Sequence, residues 1–121
     1  MRLNHIDLQV PDVQAAATFF EQWLGFEHRS NRASPAIAIL HGEGDFSLVL
    51  QRRAEGESYP ANFHVGFLLD DEARVLDFHR RAREAQLSIS DVQRNNRGTL
   101  TYLRGPGEIL IEVSCRPATT R

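Results

Sequence analysis

The feature that most narrows the fold is an order of elements that occurs twice along the chain. Residues 3–10, LNHIDLQV, alternate: Ile6, Leu8 and Val10 share one face, and His5, Asp7 and Gln9 the other. That period of two is a strand with one apolar and one polar side. Pro11 and Asp12 end it, and Asp12 is a good helix N-cap. The spacing of Val13, Ala16, Ala17, Phe20 and Leu24 predicts a helix over about 13–24 with one buried stripe. Gly25 stands where a left-handed C-cap residue belongs. Three strands are expected next, near 26–29, 36–40 and 46–51. The turn HGEGD, residues 41–45, joins the last two as a hairpin.

Residues 52–61, RRAEGESYPA, are polar and turn-rich and read as a linker. The pattern then returns. Residues 63–69, FHVGFLL, put Phe63, Val65, Phe67 and Leu69 on one face and His64 on the other. Asp70 or Asp71 caps a helix expected over about 72–85, with Val75, Phe78, Ala82 and Ala85 as its inner stripe. Strands are expected at about 88–94, 98–104 and 109–114. The chain is therefore βαβββ twice, one domain built from modules at about 1–53 and 62–115. Both opening strands carry a His on the polar face, His5 and His64. The module ends match more loosely, with 46–51 in the place of 109–112 and Gln51 set against Glu112.

Composition removes several classes of function. The 121 residues suffice for one domain but not for two independent cores. An apolar fraction of 41% and a charged fraction of 25% are ordinary for a soluble globular protein. A net charge of −2 argues against nucleic acid or an anionic membrane as partner. All 14 basic residues are Arg, which excludes Schiff-base lysine chemistry. The single Cys115 excludes an internal disulfide framework and suits a reducing cytoplasm. The N-terminus turns polar within a few residues, so no signal peptide is expected. No apolar run approaches the length of a membrane span.

The stretch 101–114, TYLRGPGEILIEVS, reads as a strand, a tight turn and a second strand. Ile109, Ile111 and Val113 alternate with Leu110, Glu112 and Ser114. Glu112 thus falls among residues that would otherwise be buried. A carboxylate there needs water or a partner, since an unpaired buried charge is very costly. The simplest partner is a cation.

These features resemble the vicinal oxygen chelate superfamily, which includes glyoxalase I, extradiol dioxygenases, fosfomycin-modifying thiol transferases and bleomycin-binding resistance proteins. The resemblance spans essentially residues 1–115. It is carried by LNHIDLQVPD at the start, FFEQWLGF at the end of the first helix, FHVGF opening the second module and YLRGPGEILIEV at the close. Members commonly show an aromatic–x–Arg–Asp–Pro–Asp–Gly turn before the final carboxylate. Tyr102, Arg104 and Pro106 keep that register; Gly105 and Gly107 replace the usual acids, and Glu108 stands where the glycine normally sits. A turn of different shape is therefore expected there.

The resemblance implies an α+β fold, with the two βαβββ modules forming an open, curved mixed sheet and the helices outside. It places metal ligands at His5, His64 and Glu112. Where glyoxalase I enzymes carry a fourth protein ligand, often Glu, this chain has Gln51. A His, His, Glu set resembles the fosfomycin enzymes and extradiol dioxygenases more closely. Two imidazoles and a carboxylate leave positions open for substrate and water, and suit Mn²⁺, Fe²⁺, Ni²⁺ or Zn²⁺ without choosing among them. The metal would stabilise negative charge developing on two adjacent substrate oxygens. Gln51 is either a weak fourth ligand or a hydrogen-bond partner of metal-bound water. Tyr102 either presents its hydroxyl to the substrate, as the matching Tyr of the fosfomycin enzymes does, or is a plain strand aromatic.

Ordinary readings stand beside these. A lone His on a polar strand face is usually just exposed. Asp7 faces the same way as His5 and is a base, a supporting group or merely solvated. Arg94, Arg97 and Arg104 attract an anionic substrate or simply cover surface. Three functions are compatible: a metal-dependent enzyme on a small substrate with adjacent oxygens, a metal-free drug-binding module, and an inert relative. A half-cup leaves strand edges in need of a partner, so a C2 homodimer is expected, its modules pairing either within one chain or, the arrangement slightly favoured by the long polar stretch 52–61, exchanged between chains.

Overall fold

Each module begins with a strand that hands over to a helix through an aspartate. The computed structural model describes residues 1–30 and 33–118. It divides into two units, Met1–Ser58 and Tyr59–Arg121. In the first, β1 (His5–Val10) leads to α1 (Val13–Trp23), then β2 (Glu27–Ser30), β3 (Ile37–His41) and β4 (Ser47–Arg52). Asp12 accepts the Ala15 N–H through its side chain at 3.0 Å, fixing the start of α1 as its cap position requires. Gly25 has φ of +75°, the left-handed conformation expected after the helix.

The alternation of apolar residues decides which faces are buried. Leu8, Val10, Ala38, Leu40, Leu48 and Leu50 form one face of the sheet, and all are buried. Val13, Ala16, Ala17 and Phe20 of α1 are buried with them. Phe20 meets Phe26 edge to face, with centroids 5.9 Å apart. Each large side chain buried in this way stabilises the module by roughly 1.5–3 kcal/mol. The strands run in the order β1-β4-β3-β2, with β1 and β4 parallel and the other pairs antiparallel.

The second unit follows the same plan with β5 (His64–Leu68), α2 (Glu72–Glu84), β6 (Gln93–Asn95), β7 (Gly98–Arg104) and β8 (Leu110–Cys115). Asp71, not Asp70, caps α2, accepting from the Arg74 N–H at 3.0 Å. Val75, Phe78 and Ala82 are buried, as are Leu103, Ile111, Val113 and Cys115. The strand order is β5-β8-β7-β6, with β5 and β8 parallel. The protein is thus α+β, two βαβββ modules, as expected. Its eight strands are hydrogen-bonded as two mixed sheets of four, rather than as one continuous sheet. No helix among the described residues is long and apolar enough to cross a membrane.

Two local expectations are corrected. Ala85 is exposed rather than part of the inner stripe, because α2 ends one residue earlier. The chain reverses at Gln86, whose φ is +61°, while Leu87 N–H bonds back to Ala82 C=O. The strand expected at 88–94 is broken in two. Ile89 bridges Leu103, and regular pairing resumes only at Gln93. Between them the Ser90 hydroxyl takes the Tyr102 N–H at 2.9 Å, a side chain standing in for a ladder carbonyl. Finally, the turn at Pro106–Glu108 is a short 3-10 turn in which Glu108 has φ of +64°. Gly107 before it is left-handed as well, with φ of +69°, so the glutamate adopts a geometry that glycine usually supplies, directly after a glycine that does the same.

Candidate functional site

The parallel pairing of β5 with β8 and the antiparallel pairing of β7 with β8 set three residues side by side. Glu112 on β8 lies beside Gly66 on β5 and beside Tyr102 on β7. His64, two residues before Gly66, shares their face. The Tyr102 hydroxyl donates to Glu112 Oε1 at 2.8 Å. Gly66 leaves the sheet bare beside the other oxygen, where a Cβ would stand 3.6 Å from Oε2. The His64 and Tyr102 rings meet edge to face, with centroids 6.1 Å apart.

The half-buried carboxylate therefore finds a phenol as its protein partner. That contact raises the Tyr102 hydroxyl above its ordinary value near 10, chiefly through the hydrogen bond to Glu112, then through burial and the Glu112 charge. The nearby Arg97 guanidinium pulls the other way. Tyr102 is accordingly an O–H donor at neutral pH, not a phenolate. Its backbone is held as well, since Ser90 N–H bonds to the Tyr102 carbonyl at 2.8 Å.

His64 Nδ1 lies 2.9 Å from the Asn62 carbonyl oxygen. A carbonyl only accepts, so the proton sits on Nδ1 and the lone pair on Nε2. His5 is arranged alike, with Nδ1 2.8 Å from Asn4 Oδ1. His64 thus leaves Nε2 free of the proton, and His5 does the same when the Asn4 amide oxygen faces it, an arrangement that could serve a metal ion.

On the corresponding face of the first module, His5, Asp7 and Gln9 project from β1. Asp7 Oδ1 accepts from Gln9 Nε2 at 2.7 Å, and Oδ2 accepts from Gln51 Nε2. The strand register pairs Asp7 with Val49, and Val49 in turn with Ile39. One step along from its His, the first module therefore reads Asp7–Val49–Ile39 where the second reads Gly66–Glu112–Tyr102. Val49, not Gln51, is the counterpart of Glu112. Gln51 pairs with Gln9, two residues further on, and is level with Ser114. The expected match of Gln51 with Glu112 is corrected on that ground.

Of the residues picked out in the sequence, the second module gathers His64, Tyr102 and Glu112 on one face, and the first carries His5 and Gln51. Among the described residues, no three His, Cys, Asp or Glu side chains gather as a metal-holding group. The donors nonetheless suit a divalent ion chemically: two imidazoles with Nε2 available and a carboxylate that keeps lone pairs beyond its one hydrogen bond. Arg94 is engaged with Glu72 and Arg104 with the Glu108 carbonyl, so both serve the structure locally. Cys115 is buried in the second core. The sequence reading missed Gly66, Asn4, Asn62 and Ser90. An Asn one residue before His5 and two before His64 was the available signal for two of them.

The sequence matches the model of the Glyoxalase/Bleomycin resistance protein/Dioxygenase superfamily over residues 2–113. Among curated proteins, sequence comparison gives no match. Among solved structures, a protein from Bacillus cereus described as a possible glyoxalase is 30% identical, with a TM-score of 0.86 over 95% of this chain and 99% of its own. A lactoylglutathione lyase from Agrobacterium tumefaciens is 21% identical, with a TM-score of 0.77 over 94% and 92%. A glyoxalase/dioxygenase from Nostoc punctiforme is 23% identical, with a TM-score of 0.74 over 97% and 92%. At these identities the last two speak to the fold alone.

Proposed function

Since the chain belongs to the Glyoxalase/Bleomycin resistance protein/Dioxygenase superfamily, we propose that it is a divalent-metal-dependent enzyme acting on a small substrate with adjacent oxygen atoms. Its reaction is an isomerisation, a thiol transfer with epoxide opening, or a ring-cleaving oxidation. His5, His64 and Glu112 are the ligands, and Mn²⁺, Fe²⁺, Ni²⁺ and Zn²⁺ are the candidate ions. The protein works in the cytoplasm as a homodimer.

The observation that supports this reading most is the treatment of Glu112. The carboxylate on the open face of the second module receives a tyrosine hydroxyl, lies over a glycine and has an imidazole on the same face. A bound ion would supply Lewis-acid stabilisation of charge forming on the substrate oxygens. Tyr102 keeps the Glu112 carboxylate oriented by holding one oxygen, and it retains its proton at neutral pH. Asn62 and Asn4 fix the tautomers of His64 and His5. Gln51 acts through Asp7, whose carboxylate it holds.

Elemental analysis of purified protein is the first test, followed by metal titration of His64→Ala and Glu112→Ala. Near-stoichiometric divalent metal in the native protein is expected. Each substitution should weaken binding by at least about 100-fold, since even supporting groups around a metal contribute 10–100-fold. The folded circular dichroism spectrum should persist in both. A native protein free of metal and unresponsive to added ions would overturn the reading and favour a metal-free binding module.

A further inference from the structure

Tyr102 is held differently on its two sides. On one side Glu112 of β8 is its cross-strand partner and accepts its O–H. On the other, where a regular strand would run beside β7, Ser90 sits in the gap between the Ile89–Leu103 bridge and the pairing that resumes at Gln93.

Ser90 completes a ladder pair with Tyr102 from unlike groups. Its N–H donates to the Tyr102 carbonyl at 2.8 Å. Its hydroxyl oxygen, not its carbonyl, accepts the Tyr102 N–H at 2.9 Å. The Ser90 carbonyl accepts instead from Thr101 Oγ1 at 2.9 Å, and Thr101 is fully buried. The Ser90 hydroxyl proton goes on to the Asp91 carbonyl at 3.1 Å. A regular antiparallel pair exchanges N–H and C=O both ways through the main chain, which any residue but proline can do. A pair completed by a hydroxyl depends on the residue type.

The open face feels the difference. A residue paired regularly with Tyr102 would stand its side chain beside the phenol, with Cβ atoms about 4.5–5.5 Å apart. The Ser90 side chain is drawn into the edge of the sheet instead. Across the module the row reads Gly66, Glu112, Tyr102, Ser90. The acid and the phenol are thus flanked by a residue with no side chain and by one whose side chain is turned in.

We propose that Ser90 is the positioning residue of the Tyr102–Glu112 pair. It clasps both backbone groups of Tyr102 and keeps the space beside the phenol clear, which aims the hydroxyl at Glu112 and leaves the pair open to a substrate. The inference rests on the reading of this face as the functional site.

The test follows Tyr102 alone. The chain has two tyrosines, and Tyr59 stacks on Phe63, so Tyr59→Phe keeps that ring contact and leaves one phenol. In full-length protein carrying ¹³C at the tyrosine Cζ, the remaining signal reports whether the Tyr102 hydroxyl donates. Glu112→Ala marks the position of the unheld phenol. Ser90→Ala should carry the signal at least halfway there and speed exchange of the Tyr102 amide proton about tenfold, the scale of one lost hydrogen bond. Ser90→Thr keeps the hydroxyl and should return both readings to native. Should Ser90→Ala fail to fold, Ser90→Cys gives the same reading, because its thiol accepts only weakly. A native Cζ signal in Ser90→Ala, with only the melting temperature lowered, would overturn the proposal, as would failure of Ser90→Thr to restore either reading. Neither reading needs an ion, so the clasp stands or falls on them whether or not the metal titrations uphold the function proposed above.

Discussion

The two modules share strand order, pairing sense and register, yet the residues at matched points on their open faces differ in kind. The second module stacks glycine, glutamate and tyrosine across β5, β8 and β7. The first stacks aspartate, valine and isoleucine across β1, β4 and β3. The buried faces differ less: both are mainly aliphatic and closed by a helix bearing one buried Phe, Phe20 or Phe78, with Thr99, Thr101 and Cys115 added in the second. Packing against a helix constrains volume and polarity together. An open strand face constrains neither, so chemistry diverges there first. The difference teaches that register, not the resemblance of strand ends, decides which residues are equivalent.

The comparison breaks most sharply at Gly98, which opens β7 with φ of +124°. A Cβ there would stand 1.9 Å from the Cys115 carbonyl oxygen. Gly98→Ala should cost upwards of about 3 kcal/mol, from the sum of backbone strain and overlap. Chemical denaturation should show the loss. Native-like stability would mean that β7 and β8 have room to part.

Tyr102→Phe removes the hydroxyl from Glu112 and makes the second face as apolar at that point as Ile39 makes the first. A cost of about 1.5 kcal/mol is expected, the scale of a hydrogen bond to a charged group. No change in thermal stability would show that water replaces the phenol without loss.

The modules also leave their helices differently. Gly25 takes the left-handed position after α1, and Gln86 takes it after α2. Gln86→Gly should stabilise the protein by about 0.5–1 kcal/mol, the relief of left-handed strain less the extra chain entropy of glycine. Glu108→Gly should act alike at the turn before β8. A fall in melting temperature in either variant would show that the side chain contributes more than its backbone costs.

The smallest effect concerns acid. α1 has no acidic residue in its first turn, whereas α2 begins with Glu72. Hydrogen bonds from Arg94 and then Thr99 hold the Glu72 carboxyl below its ordinary 4.5. A lowered value in the folded state means stability that is present above about 4.5 and is lost as pH falls through the folded value. Melting temperatures of native protein and Glu72→Gln should therefore differ slightly at pH 6 and converge in strong acid. A gap that widened on acidification would reverse the assignment.

Much of this was legible in the sequence because it rests on local rules. Asp12 announced α1, Gly25 ended it, and the period-two runs marked most of the strands. Glu112 stood out because a carboxylate among alternating aliphatics is conspicuous, whereas His5 and His64 were picked out by the repeat and by the family resemblance. The register of the first module was not legible. Nothing local ties β4 to β1, and the match of Gln51 with Glu112 came from counting along strand ends. The break at Ser90 was hidden because a hydroxyl that replaces a carbonyl in a ladder leaves the sequence looking like a strand. Asp7 drew little notice because its partners, Gln9 and Gln51, come from two strands whose alignment only the fold supplies.

The parallel pairing of each module's first and last strands also sets a timetable. Tyr102 and Glu112 belong to one hairpin and can meet as soon as β7 and β8 form. His64 and Glu112 become neighbours only when β5 closes against β8, across nearly the whole module. Closing so long a loop costs chain entropy and makes non-local pairing the slow part of folding. A nascent or clipped chain therefore has the tyrosine–glutamate contact before it has the imidazole beside it. The approach of the imidazole to the carboxylate face comes last and reports that the second module has finished folding.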